Sequence, residues 1–72
     1  MITEIGLAAG TIWQFLDERG ESWFSELVGS LGEPEALLFM ALGWLAREGY
    51  VVVHHEGTDY RVALRNERTA HA

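Results

Sequence analysis

The stretch Leu37–Tyr50, LLFMALGWLAREGY, decides how this chain is read. Leu38, Ala41, Leu42 and Leu45 recur at three- and four-residue intervals. At about 100° per residue they share one narrow sector of a helix, its core face. Gly49 stands where a helix-ending glycine belongs, and Tyr50 can pack back on Leu45 as the accompanying apolar contact. Upstream, Glu33-Pro34 marks the start, because proline disfavours a helical residue before it and suits the first helical position itself. The spacing therefore predicts a helix over Pro34–Glu48.

The outer side of this helix is unusual. Opposite the core sector lie Ala36, Met40, Gly43 and Arg47. Leu37, Trp44 and Glu48 occupy one flank, Phe39 and Ala46 the other. A surface helix ordinarily turns a polar face to water. This one is apolar nearly all round, with Glu35, Arg47 and Glu48 confined to its ends. Leu37, Met40 and Trp44 form a second apolar stripe. Leu37 and Trp44 can fill the core against another helix or a hairpin. Alternatively the stripe, with Met40 central and small Gly43 and Ala36 beside it, is a contact surface, since Met and aromatic residues are enriched at interfaces.

Working outward, Gly32 ends an earlier helix predicted over Phe24–Leu31, with Phe24, Leu27, Val28 and Leu31 on its buried side. So short a turn between two helices makes a helix-turn-helix. Before it, Ile5, Ala8, Ala9, Ile12, Trp13 and Leu16 give one apolar face to a first helix over about Glu4–Arg19. Gly6 and Gly10 weaken its early turns by roughly 1 kcal/mol each relative to Ala, so a frayed start is expected, and Gly20 is a left-handed stop. After the third helix, Tyr50–His55 and Tyr60–Leu64 read as strands around the turn cluster Glu56-Gly57-Thr58-Asp59. Ser22-Trp23 is extended and can add a third strand. Residues 65–72 carry no pattern and are expected to form a flexible tail.

Three helices followed by a β-hairpin, the second and third helices forming a helix-turn-helix, define an α+β winged helix-turn-helix domain over residues 1–64. The run Ala41–Gly49, ALGWLAREG, with its acidic-proline turn and Ile12–Glu21, IWQFLDERGE, resembles a family of short bacterial and archaeal winged helix-turn-helix proteins of unknown function. The resemblance covers about residues 4–64. It implies the fold and no particular ligand or activity.

Charge narrows the function. The chain carries five arginines, no lysine and eleven acids, a net charge of −6. Residues 1–32 hold five acids against Arg19, net −4, while residues 50–65 balance Glu56 and Asp59 against Arg61 and Arg65. Nucleic-acid binding rests on neutralised phosphates and a basic face. Base edges are read by hydrogen-bonding side chains, mostly from the N-terminal part of the recognition helix. Here Ala36, Met40 and Gly43 offer no side-chain donor, and Glu33 and Glu35 repel phosphate. Arg47, Arg61 and Arg65 remain as a nucleic-acid reading of the wing, and solvated strand arginines paired with Glu56 or Asp59 as the plainer one.

Other chemistry has little support. His54-His55 resembles a metal motif, but adjacent strand residues point to opposite faces. Gly29 and Gly32 are not followed by the Lys-Ser/Thr of a phosphate loop. Asp17-Glu18 and Glu33/Glu35 sit at helix ends with no pocket implied, and Ser22, Ser25 and Ser30 lack a triad. There is no cysteine, hence no disulfide scaffold. No apolar run approaches the ~18 residues that span a membrane, and no basic leader precedes one, so a cytoplasmic location is expected. The reading that follows is a non-enzymatic module without cofactor, metal or small-molecule substrate. It contacts itself or another protein through Leu37, Met40, Gly43 and Trp44, with a DNA-binding regulator as the rival.

Overall fold

The computed structural model describes residues 1–65. Helix α1 spans Ile2–Arg19, strand β1 Ser22–Trp23, helix α2 Phe24–Leu31 and helix α3 Glu35–Arg47. Strands β2, Val51–Glu56, and β3, Asp59–Leu64, close the domain. The three strands form one antiparallel sheet in the order β1-β3-β2. The domain is a winged helix-turn-helix of three helices and a three-stranded sheet, with Ser22-Trp23 pairing Val62 and Arg61. Residues 66–72 of the expected tail lie outside the described residues. Arg65 extends the ladder, its N–H donating to the Tyr50 carbonyl at 2.9 Å.

The core is a single cluster fed by every helix and by the central strand. Ile12 and Leu16 of α1, Leu27 of α2, Leu38, Ala41, Leu42 and Leu45 of α3, and Val62 of β3 are all buried within it. The core face read from Leu37–Tyr50 is therefore the buried face of α3. In the hairpin, Val51 pairs with Leu64, Val53 with Val62 and His55 with Tyr60, placing those residues on the sheet face turned to the helices.

Local details differ from the pattern-based reading. Helix α1 begins at Ile2, with the Ile5 N–H bonded to the Met1 carbonyl at 2.9 Å. The glycines lower helix propensity, yet packing against the core outweighs a penalty of about 1 kcal/mol each. Gly20 has φ 84 but ψ −165, an extended conformation with positive φ rather than a left-handed helical stop. Only glycine adopts it readily. Pro34 caps α3 from outside, with ψ 138, so Glu35 is the first helical residue. Gly49 completes the expected stop: its N–H reaches the Ala46 carbonyl at 3.1 Å, and the Tyr50 N–H reaches Leu45 at 2.9 Å. The Tyr50 ring, however, packs on Trp44, 6.1 Å between centroids.

Candidate interaction surface

Two sides of α3 meet the rest of the molecule differently. On the flank of Phe39, aromatic rings interlock. Phe39 stacks on buried Phe24 at 4.0 Å, and Tyr60 stands perpendicular to both at 5.7 and 6.4 Å. His55 stacks on Tyr60 at 4.8 Å. Such pairs are favourable beyond their buried area. At the tip of the wing, Asp59 accepts hydrogen bonds from the Ser25 hydroxyl at 2.6 Å and the Ser25 N–H at 3.2 Å. It also accepts one from the Tyr60 N–H at 2.8 Å. The Ser25 hydroxyl, then the backbone donors, hold its carboxyl below the ordinary value. Asp59 thereby ties the wing to the start of α2, whose first-turn donors need an acceptor. The Trp23 N–H is taken by Glu26 at 2.8 Å.

The wing arginine is likewise engaged. Arg61 pairs with Glu56, and with Glu21 at 3.7 Å. Its Nε is buried with no hydrogen-bond partner among the described residues. Arg61 thus makes the pairing with Glu56 expected of a strand arginine. Asp59, the other carboxylate considered for this pairing, serves as the α2 cap instead. The Arg65 guanidinium lies over Gly49, 3.6 Å from where a Cβ would stand. Four residues of strand, about 13 Å, separate Arg61 from Arg65. Arg47 is in the last turn of α3, where a cation suits the helix dipole. His54 pairs with Arg61 and His55 with Tyr60, so the two histidines occupy opposite sheet faces.

On the flank of Trp44 the surface is apolar and open. Gly6, Ala9 and Gly10 of α1 floor a groove of about 330 Å³, walled by Trp13, Trp44 and Tyr50. A second hollow of about 360 Å³ continues it past Ile2, Ile5, Gly6 and Trp44. A Cβ added at Gly6 or Gly10 would meet nothing within 4 Å, so the floor has room above it. Of the residues lining these hollows, Ile2 is 87% exposed, Trp13 42%, Trp44 46% and Tyr50 50%; elsewhere on the same two helices, α1 and α3, Leu7 is 70% and Met40 43% exposed. Scattered apolar side chains are normal on a protein surface, whereas a contiguous set is informative.

The residues singled out from the pattern fall as follows. Met40, Gly43 and Trp44 are exposed, and Leu37 is half-buried against the core. One part of Trp44 lines the α1 groove while nearly half of it remains in water. Trp13 is the correction: it was placed on the buried face of the first helix and is instead a groove wall. Its position lies at the edge of a wide apolar arc, and the glycines beside it leave no side chain to cover it. The α1 contribution to this surface was missed. Its signal was the Gly6-x-x-x-Gly10 spacing followed by Trp13, which puts two missing side chains and one large one on the same helix face.

No helix among the described residues is long and apolar enough to cross a membrane. No curated protein and no solved structure matches the chain. Residues 1–65 match a family described as a winged helix-turn-helix domain, DUF2582. With the three helices, the short turn into α3 and the hairpin wing all in place, the chain belongs to this winged helix-turn-helix family.

Proposed function

We propose that the domain is a small non-enzymatic interaction module. It docks protein, a second copy or another chain, on the outer face of α3 and the α1 groove beside it. The observation that carries this reading is the half-exposed Trp44, continuous with exposed Met40 on α3 and with Trp13, Gly6 and Gly10 across the groove. Burying apolar surface is worth about 25 cal/mol per Å², and phosphate and water provide no such burial. The chain's acidity supports the same reading, because a −6 charge opposes approach to a polyanion.

The rival is a DNA-binding regulator using Arg47, Arg61 and Arg65, and what favours it is the fold. Its arginines are few, and Arg61 is already paired with Glu56 and Glu21. Titration with duplex DNA at low salt separates the two. The interaction reading expects no saturation even near 100 µM, the weak end of ordinary non-specific binding. Tight, salt-sensitive binding that Arg61→Ala and Arg65→Ala abolish would favour the regulator. In parallel, a tagged wild-type chain should retain protein that Met40→Glu and Trp44→Glu release.

A further inference from the structure

We infer that the occupant of the α1 groove is a second copy of this chain. The two copies cross α1 against α1 at Gly6 and Gly10, about a two-fold axis. This rests on the interaction reading above and names its partner. Three observations support it.

The first is shape. A two-fold interface must be complementary to itself, each residue meeting its counterpart's neighbour. The α1 face supplies both halves of such a fit. Gly6 and Gly10 are holes with open space above them. Ile2 and Leu7, the most exposed large apolar residues of α1, project from the same helix as knobs. Glycines four residues apart let two helix axes approach closely.

The second is charge. At about 100° per residue, Ile2, Gly6, Gly10, Trp13 and Gln14 share one outward arc of α1, and between residues 2 and 14 that arc carries no charged side chain. Asp17, seven residues beyond Gly10 toward the helix C-terminus, is the first charge on that arc. Ten acids and four arginines lie within residues 1–65, so such an arc stands out on this molecule. Two copies of an acidic chain repel wherever acids face each other. On this face a crossing at Gly6 and Gly10 keeps the two Asp17 side chains away from the crossing point.

The third is area. Taking ~200 Å² per aromatic and ~100 Å² per aliphatic side chain, scaled by exposure, Trp13, Trp44, Tyr50, Ile2, Leu7 and Met40 present about 500 Å² of apolar surface. A standard interface takes about 800 Å² from each partner, about 65% of it apolar in homodimers. The patch matches the apolar part of one such half-interface.

Sedimentation equilibrium of the whole chain over a wide concentration range tests the inference with two variants. The wild type should pass from monomer to dimer. Gly10→Leu fills the hole and should raise the dissociation midpoint about tenfold or more. The same change improves helix propensity and meets nothing within 4 Å at its Cβ. Circular dichroism of the monomer should therefore show unchanged helix content and undiminished heat stability, separating lost pairing from lost folding. Trp44→Glu should also dissociate the dimer. A wild type that stays monomeric at the highest concentration overturns the second-copy inference. A dimer sensitive to Trp44→Glu but not to Gly10→Leu overturns the α1 crossing and leaves the interaction reading standing. A dimer indifferent to both variants overturns both.

Discussion

The two flanks of α3 are built from similar residues to opposite ends. On the wing side the aromatic rings and the charges beside them are paired within the chain. Phe39 stacks on Phe24, Tyr60 closes against both rings, Asp59 caps α2, and Arg61 is held by Glu56 and Glu21. On the α1 side Trp13, Trp44 and Tyr50 stand around a floor of glycines and keep much of their surface in water. The difference is what directs the docking proposal to one side of the domain. It is the side where the chain leaves apolar surface uncovered, while the wing's charges Glu56, Asp59 and Arg61 are engaged with partners in the same chain.

Both flanks depend on the same core, so the largest change expected is one that removes both. Ile12 is fully buried between them. Ile12→Ala should cost roughly 2–5 kcal/mol by lost burial and a residual cavity. In a domain this small that is most of the available stability. Urea unfolding should show a strongly lowered midpoint. A near-wild-type midpoint would mean that the two flanks do not share a core.

A smaller effect sharpens the wing side alone. Asp59→Ala should lower the melting midpoint by freeing the Ser25 donors at the start of α2. The carboxyl of Asp59 is held below its ordinary value in the fold, so its contribution is complete above that value. The contribution is lost as pH falls through the lowered folded value. The gap between wild type and Asp59→Ala should therefore be constant near neutrality and shrink below about pH 4. A gap that widens in acid would contradict the assignment.

Glycine substitutions compare the two regions directly. Gly10 is helical and open, so Gly10→Ala should stabilise the monomer by roughly 0.5–1 kcal/mol. Gly49 has φ 83 at the α3 stop, so Gly49→Ala should destabilise it by about 1 kcal/mol. Equal effects in denaturant would erase this distinction. Smallest of all, Arg61→Ala should cost less than about 1 kcal/mol, declining with added salt, because its ion pairs are partly exposed. A large, salt-independent loss would show the wing to be held by that arginine.

Much of this architecture was legible in the residues. The spacing of Leu38, Ala41, Leu42 and Leu45 located the buried face of α3, and Gly49 its end, because periodicity and a positive-φ stop are local properties. The extended Ser22-Trp23 dipeptide found its place as a third strand by fold logic. The groove was not legible as a whole. Gly6 and Gly10 read locally as propensity penalties, and only the packing of α1 beside Trp44 turns them into a floor. Trp13 sits where a wide apolar arc meets that floor, and period alone cannot divide such an arc into covered and uncovered parts. Asp59 looked like one of several turn acids. Its bonds to Ser25, 34 residues away, come from the fold bringing the wing tip to α2.

The three indole N–H groups report on the central claim most directly. Trp13 and Trp44 wall the groove, while Trp23 pairs with Arg61 in the sheet and lines neither hollow. In nitrogen-labelled protein followed by nuclear magnetic resonance on stepwise dilution, the Trp13 and Trp44 indole signals should move together toward monomer positions. Trp23 should stay in place, and duplex DNA at low salt should move none of the three. Spectra unchanged across the dilution, or shifts confined to Trp23, would contradict the account.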